Sequence, residues 1–240
     1  MKKQKWILVC IVLLLMSPSG WAQKNEKAAE TKAAPLKVAF VVSEGFTLID
    51  LAGPWDVFNS ARIPVAGVVH PPDRLFGTYT VSNSMSPVSM GSTSTRLIPD
   101  YTFENVPKPD IIVVGAQDWR KEVPGLSEWL KKENAQDITI MSVCVGAGQL
   151  ADAGLLDGKR ATTHHAFIKD FRAGYPKTNW LEGKRFVKVT DTLWTSGGLT
   201  SGIDLALKLV AVRFGGPAAE FTRSGWNTPA LDGSKLCGIP

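Results

Sequence analysis

Three short runs of this chain are almost wholly apolar and rich in β-branched residues: LKVAFVV from Leu36 to Val42, DIIVV from Asp110 to Val114, and ITIMSV from Ile138 to Val143. Each precedes a stretch of helical character, from Asp50 to Ala61, around Leu126 to Glu133, and from Gly146 to Ala153. A strand with one face in water alternates apolar and polar residues. A continuously apolar strand is buried on both faces, and alternation with helices is how a parallel sheet achieves that. A last pair closes the pattern, with a strand from Thr192 to Thr195 and a long helix from Ser201 to Phe214 that is apolar at Ile203, Leu205, Leu207, Leu209 and Val210. The predicted fold class is therefore α/β, a mostly parallel central sheet covered by helices on both faces. The segment from Tyr79 to Met90, rich in Ser and Val with Pro87, reads as a β excursion at a sheet edge, where proline is tolerated.

The N-terminus follows the export pattern: Lys2, Lys3 and Lys5, an apolar run from Trp6 to Met16, then small and helix-breaking residues up to Ala22. A bilayer-spanning helix needs about 20 apolar residues, more than this run supplies. Residues 1–22 are accordingly expected to be a signal peptide cleaved near Ala22, leaving no stable membrane anchor and a periplasmic or secreted protein. An uncleaved anchor is the alternative, and N-terminal sequencing of the exported protein separates the two. Residues 23–35, rich in Lys, Glu, Ala and Gln without an aromatic residue, read as a solvated tether. One domain is expected over 36–215 and a Gly- and Pro-containing tail over 216–240, too short for a helix-turn-helix domain.

Charge excludes little. The chain has 27 basic and 22 acidic residues, and Lys2, Lys3 and Lys5 belong to the expected signal, so the remainder carries only about +2. That bias argues for no nucleic-acid partner and for no anionic membrane surface. Of three cysteines, Cys10 would leave with the signal, and Cys144 and Cys237 remain. They form either one disulfide or a free thiol and a tail cysteine, and the motif around Cys144 favours the free thiol.

That motif is SVCVGAGQLADAGLL, from Ser142 to Leu156, in which an apolar strand ends at Cys144 and Gly146, Ala147 and Gly148 begin a helix. Small neighbours permit the tight strand-to-helix turn of a nucleophile elbow, with Cys in place of Ser. Dipoles at a helix start favour thiolate, so a lowered cysteine pKa is expected. The alternative is a buried structural cysteine. Asp50 opens the helix after the first strand, where a carboxyl can reach the same crevice at the carboxyl ends of the strands, or can merely cap its own helix. Beside a thiolate its pKa would rise. His164 and His165, in ATTHHAFIKDF, stand at a probable helix start with Thr162 and Thr163 as capping candidates. An imidazole there can relay protons, and surface histidines are the ordinary alternative. Gly115 and Ala116 end the Asp110 to Val114 strand and, with the N–H of Val145, offer donors for an oxyanion hole. No Cys or carboxylate cluster supports a metal site.

SVCVGAGQLADAGLLDGKRATTHH resembles the central signature of the DJ-1/PfpI superfamily, in the branch of isonitrile hydratase and the amidase-like domains of AraC-type regulators. IDLAGPWDVF and TSGGLTSGIDLALKLV resemble the same branch near the two ends of the domain. The resemblance implies a flavodoxin-like three-layer sandwich, usually dimeric, with Cys144 as nucleophile, Asp50 as the acidic residue that hydrogen-bonds it, His164 on the histidine of the family's ATTH segment and Gly115 on the first glycine of its P-G-G turn. It implies no cofactor. Two departures stand out. Val145 occupies the place of a threonine that serves isonitrile hydration, and Ala116 replaces the second glycine of the turn. The expectation is a cysteine-dependent hydrolase or hydratase of a small carbon–nitrogen or carbonyl substrate. A glyoxalase- or deglycase-like activity uses the same parts, and a non-catalytic binding or redox-sensing protein built on Cys144 is the rival from another class.

Overall fold

A computed structural model describes residues 33–91 and 93–225. The expected signal over 1–22, residues 23–32 of the tether, Cys10, and the tail beyond 225 with Cys237 lie outside the described residues. In chain order the elements are β1 (Leu36–Val41), α1 (Leu48–Ser60), β2 (Phe76–Ser82), β3 (Val88–Ser89), β4 (Arg96–Leu97), β5 (Tyr101–Thr102) and β6 (Ile111–Val114). They continue with α2 (Leu126–Asn134), β7 (Thr139–Val143), α3 (Ala147–Asp152), β8 (Arg160–Ala161), α4 (Ile168–Gly174), β9 (Asn179–Trp180), β10 (Phe186–Lys188), β11 (Leu193–Ser196), α5 (Thr200–Phe214) and α6 (Gly216–Gly225).

The main sheet has seven strands in the order β10-β11-β7-β6-β1-β2-β5, and every neighbouring pair is parallel except β10 with β11. As the continuous apolar runs require, all four residues of β6 and all five of β7 are buried. Helices α1, α5 and α6 pack on one another on one face, and α2 and α3 on the other. The result is the three-layer α/β sandwich with a mostly parallel sheet expected from the sequence. From β1 the chain goes first to β2 on one side and later to β6 on the other, so the strand order reverses at β1. Crevices of open parallel sheets form at such a switch point, beyond the carboxyl ends of the strands. Register brings those ends level: Val41 is opposite Val114, Val114 opposite Ser142, and Val143 opposite Ser196.

One expectation is refined and one corrected. The middle segment does lie near the sheet edge, but it opens as a full strand that begins earlier than expected: β2 pairs with β1 from Leu36 opposite Phe76 to Val41 opposite Val81, and on its outer side only Val81 and Ser82 pair, with β5. Thr80 is buried, and both its N–H and its hydroxyl bond the Asp100 carboxylate at 2.8 Å. Only β3 leaves the sheet, to form an antiparallel pair with β4. The segment after 215 opens with a helix rather than as tail: α6 buries Ala218, Ala219 and Thr222, and packs on α5.

Candidate active site

Strand β7 runs into Cys144 with no intervening loop, and Cys144 takes a left-handed backbone with φ of 58°. A non-glycine residue gains nothing from that conformation and holds it only where its surroundings fix it. Here they do: the Cys144 N–H donates to the Gly197 carbonyl at 3.0 Å, and its own carbonyl accepts from the Thr163 hydroxyl at 2.9 Å. One turn of 3-10 helix over Cys144–Gly146 then leads into α3. Gly146 is indispensable to this turn, since a Cβ there would stand 2.2 Å from the Val114 carbonyl oxygen and 2.6 Å from that of Gly115. Cys144 is a free thiol, and both it and Val145 are only 7 % exposed.

Asp50 does not cap its helix. Helix α1 starts at Leu48, and the carboxyl of Asp50, a fully buried residue, instead crosses the switch-point crevice to accept from the Ala116 N–H at 3.1 Å. The Cys144 thiol and the Leu199 N–H bear on the same carboxyl. Leu199 supplies that N–H from a second left-handed turn, between β11 and α5, with φ of 55°. Burial raises the Asp50 pKa from 3.8 to about 6, against the lowering action of its three donors. The thiol is pushed up to about 12, first by burial and then by the Asp50 charge, while the Val145 N–H works the other way.

This reverses the expected lowering of the cysteine pKa. The helix that would supply the dipole is one 3-10 turn followed by a six-residue segment, and burial beside a carboxylate outweighs it. Thiol and carboxyl together hold one proton over the neutral range. Moving that proton from sulfur to Asp50 would create a thiolate next to a carboxylic acid with no change in net charge.

His164 belongs to the segment that ties down the Cys144 backbone. Its ring lies against Gly198, next to the Gly197 carbonyl that holds Cys144, and the preceding residue, Thr163, is the one bonded to the Cys144 carbonyl. The expected capping roles are exchanged: Thr162 donates to the Leu181 carbonyl, Thr163 to Cys144, and His164 Nδ1 itself accepts from the Ala166 N–H at 3.2 Å. With Nδ1 an acceptor, neutral His164 carries its proton on Nε2 and is a donor there. Burial and the stacked ring of His165, 4.3 Å away, both lower its pKa and favour this neutral form. Gly115 packs its backbone against Asp50. Ala116 is removed from the oxyanion donors, because its N–H is committed to Asp50. Among the expected donors, the Val145 N–H faces the sulfur.

Sequence reasoning misses Leu199, Gly197 and the tie through Thr163. A strand ending in two glycines before a helix, TSGGLTSG, is the available signal for the first two. A further pair near the crevice, Ser43 and Gln117, is also buried: the Ser43 hydroxyl donates to Gln117 Oε1, and Gln117 Nε2 has no partner.

A parallel α/β sandwich with a buried cysteine on a left-handed strand-to-helix turn, and a carboxyl reaching it from the switch-point helix, is a cysteine-elbow protein. The chain belongs to the DJ-1/PfpI family, whose sequence profile matches residues 36–212. It is 33 % identical over 192 residues to an isonitrile hydratase of Pseudomonas putida, covering 78 % of this chain and 76 % of that enzyme. It is 32 % identical over 143 residues to the HTH-type transcriptional regulator CdhR of Pseudomonas aeruginosa, covering 59 % of this chain and 42 % of that protein. In fold it is similar to Drosophila melanogaster DJ-1beta, with a TM-score of 0.68 at 17 % identity, over 82 % of this chain and 100 % of that one.

Proposed function

We propose that this protein is an exported, homodimeric enzyme that adds water across, or hydrolyses, a small substrate with an electrophilic carbon bonded to nitrogen or oxygen. The observation that carries the reading is the Cys144–Asp50 pair: a strained, buried thiol held against a buried carboxyl with which it shares a proton. Similarity to an isonitrile hydratase supports the same class of chemistry. In the proposed reaction Cys144 Sγ bonds to the substrate carbon as the thiol proton passes to Asp50. On an isonitrile that proton passes to the attacked carbon, giving a thioimidate; on an acyl substrate it passes to the nitrogen or oxygen that departs, giving a thioester, and the Val145 N–H meets the negative charge in between. Water then adds to the same carbon, and the C–S bond breaks as Sγ recovers a proton, releasing the formamide or the acid. His164 donates from Nε2 to the bound substrate. Export rests on Lys2, Lys3, Lys5 and the apolar run after them.

Turnover of a panel of isonitriles and reactive carbonyls by the native chain and by Cys144→Ser tests this reading. The variant is expected to lose activity by about 10³-fold or more. Turnover that survives in it overturns the mechanism.

A second reading is favoured by one observation: the residue beside the thiol, Val145, is apolar and buried, and offers no side-chain polar group to a substrate. On this reading Cys144 binds or senses without turnover. Selective oxidation of Cys144 by mild peroxide, with no activity on any panel member, would establish it. The expectation of no nucleic-acid partner is withdrawn, since two matched relatives are named as transcriptional regulators and the chain spans less than half of each.

A further inference from the structure

Helix α5 starts without a capping side chain. The residue before it, Leu199, is left-handed and makes no side-chain hydrogen bond to the helix. A capping side chain stabilises a helix start by about 1 kcal/mol, and this start forgoes it at a place where the elbow leans on it. The Gly197 carbonyl, two residues before Leu199, accepts from the Cys144 N–H at 3.0 Å. Gly198 lies so close to His164 that a Cβ there would stand 2.0 Å from the ring. Within the first turn of α5, Gly202 rests on Val143, the residue before Cys144, and a Cβ there would stand 2.7 Å from that side chain. A shift of this turn is therefore felt at the elbow.

Arg185, the residue before β10, grips the turn at both ends. Its carbonyl accepts from the Gly197 N–H at 2.8 Å. Its side chain reaches α5, where Nε and Nη2 both meet Asp204 Oδ2 and Nη2 also reaches the Thr200 hydroxyl at 3.3 Å. Thr200 is the first residue of α5, and Asp204 lies about one turn on. An ion pair between two exposed side chains contributes at most about 1 kcal/mol. This pair is not of that kind: the Arg185 side chain is 53 % exposed, but that of Asp204 only 15 %. Losing the guanidinium would leave a largely buried carboxylate without a counter-charge, and such a group is relieved only by moving toward water.

We infer that Arg185 and Asp204 are positioning residues for the elbow: as one unit they fix the turn from Gly197 to Leu199 between β11 and α5, and through it the backbone of Cys144 and the seat of the His164 ring. Neither touches the thiol; they act through main-chain groups of the turn. The inference rests on Cys144 being the reacting residue, as in the proposed function, and not on turnover by it.

The rate of Cys144 alkylation by iodoacetamide in the full chain, read by mass spectrometry at the peptide that carries Cys144, tests the assignment. A slackened turn opens a thiol that is 7 % exposed. Arg185→Met and Asp204→Ala should therefore each raise the rate at pH 7 by about threefold or more, and the double variant by no more than the larger single effect, since partners in one unit are not additive. Arg185→Lys, which keeps the charge and loses the fork, should recover part of the difference. A merely structural role would expose the thiol through unfolding, and that route accelerates steeply with urea, whereas reaction of a loosened native state does not. An unchanged or slower rate in the single variants overturns the inference, as do effects that multiply in the double variant or a rise that depends steeply on urea. Faster alkylation in the variants, with no turnover of any isonitrile or carbonyl by the native chain, would support the positioning role and defeat the enzyme reading. Turnover by the native chain with unchanged alkylation in the variants would do the reverse.

Discussion

Two neighbouring strands, β7 and β11, each enter a helix through a non-glycine residue in the left-handed region, and the two turns use the same strain for different ends. At Cys144 the turn delivers a side chain. The residue is buried, and both its N–H and its carbonyl are tied to the protein. At Leu199 the turn brings a backbone N–H near enough to Asp50 to lower its pKa, while the side chain is 44 % exposed. Left-handed backbone costs a non-glycine residue about 1–2 kcal/mol. The first turn recovers that cost through a side chain that nothing else can replace. The second recovers it only through an amide that any residue carries.

The comparison breaks most visibly at Gly146, which lets the first turn close. In Gly146→Ala the new methyl group would meet two backbone carbonyls, which cannot move aside as a side chain can. Overpacking typically costs about 1–3 kcal/mol and occasionally more, and a clash with two backbone carbonyls belongs at the upper end. Chemical denaturation should show that loss, together with a changed rate of Cys144 alkylation. A native-like midpoint would mean that β6 and the elbow are not in contact as described.

Asp50, which both turns address, gives the next largest effect. Its folded pKa of about 6 lies above its ordinary 3.8, so the folded state holds the proton more tightly. The unfolded chain therefore ionises first as pH rises. The contribution of this group to stability is present below about pH 4, is lost between about pH 4 and 6, and is constant above. Relative to the native chain, Asp50→Asn should gain up to about 3 kcal/mol across that window, read from denaturation midpoints at a series of pH values. A native chain that instead gains on the variant with rising pH would mean that the Ala116 and Leu199 donors outweigh burial.

How far the sequence reveals these turns follows from what each depends on. The elbow is legible because its requirement is compositional: an apolar strand, a cysteine and small residues in consecutive positions. Asp50 is legible only as a candidate, since a carboxyl near a helix start reads equally as a cap, and the distinction rests on Ala116, a residue 66 positions away. The thiol's pKa is misjudged from sequence because a helix dipole can be inferred from residue order, whereas burial and the Asp50 charge come from strands that meet only in the fold. The same limit hides β2, whose threonines look solvated until Asp100 is seen to satisfy one of them. Leu199 leaves the faintest trace, because its role belongs to the main chain.

That main-chain role yields the smallest effect and the sharpest test of the contrast between the turns. Leu199→Gly keeps the amide, relieves the left-handed strain and removes a side chain that is 44 % exposed. Against this stands the greater freedom of glycine in the unfolded chain, about 0.5–1 kcal/mol. Relief of strain outweighs that freedom, so the variant should be more stable than the native chain by up to about 1 kcal/mol, a rise in thermal midpoint of roughly 2–4 °C for a domain of this size. Alkylation of Cys144 should keep its rate and pH profile, because the Asp50 carboxyl keeps its donor. A destabilised variant, or one whose thiol reacts with a shifted pH profile, would show that the Leu199 side chain holds the turn in place. The second turn would then resemble the first, each fixed by what its residue carries beyond the backbone.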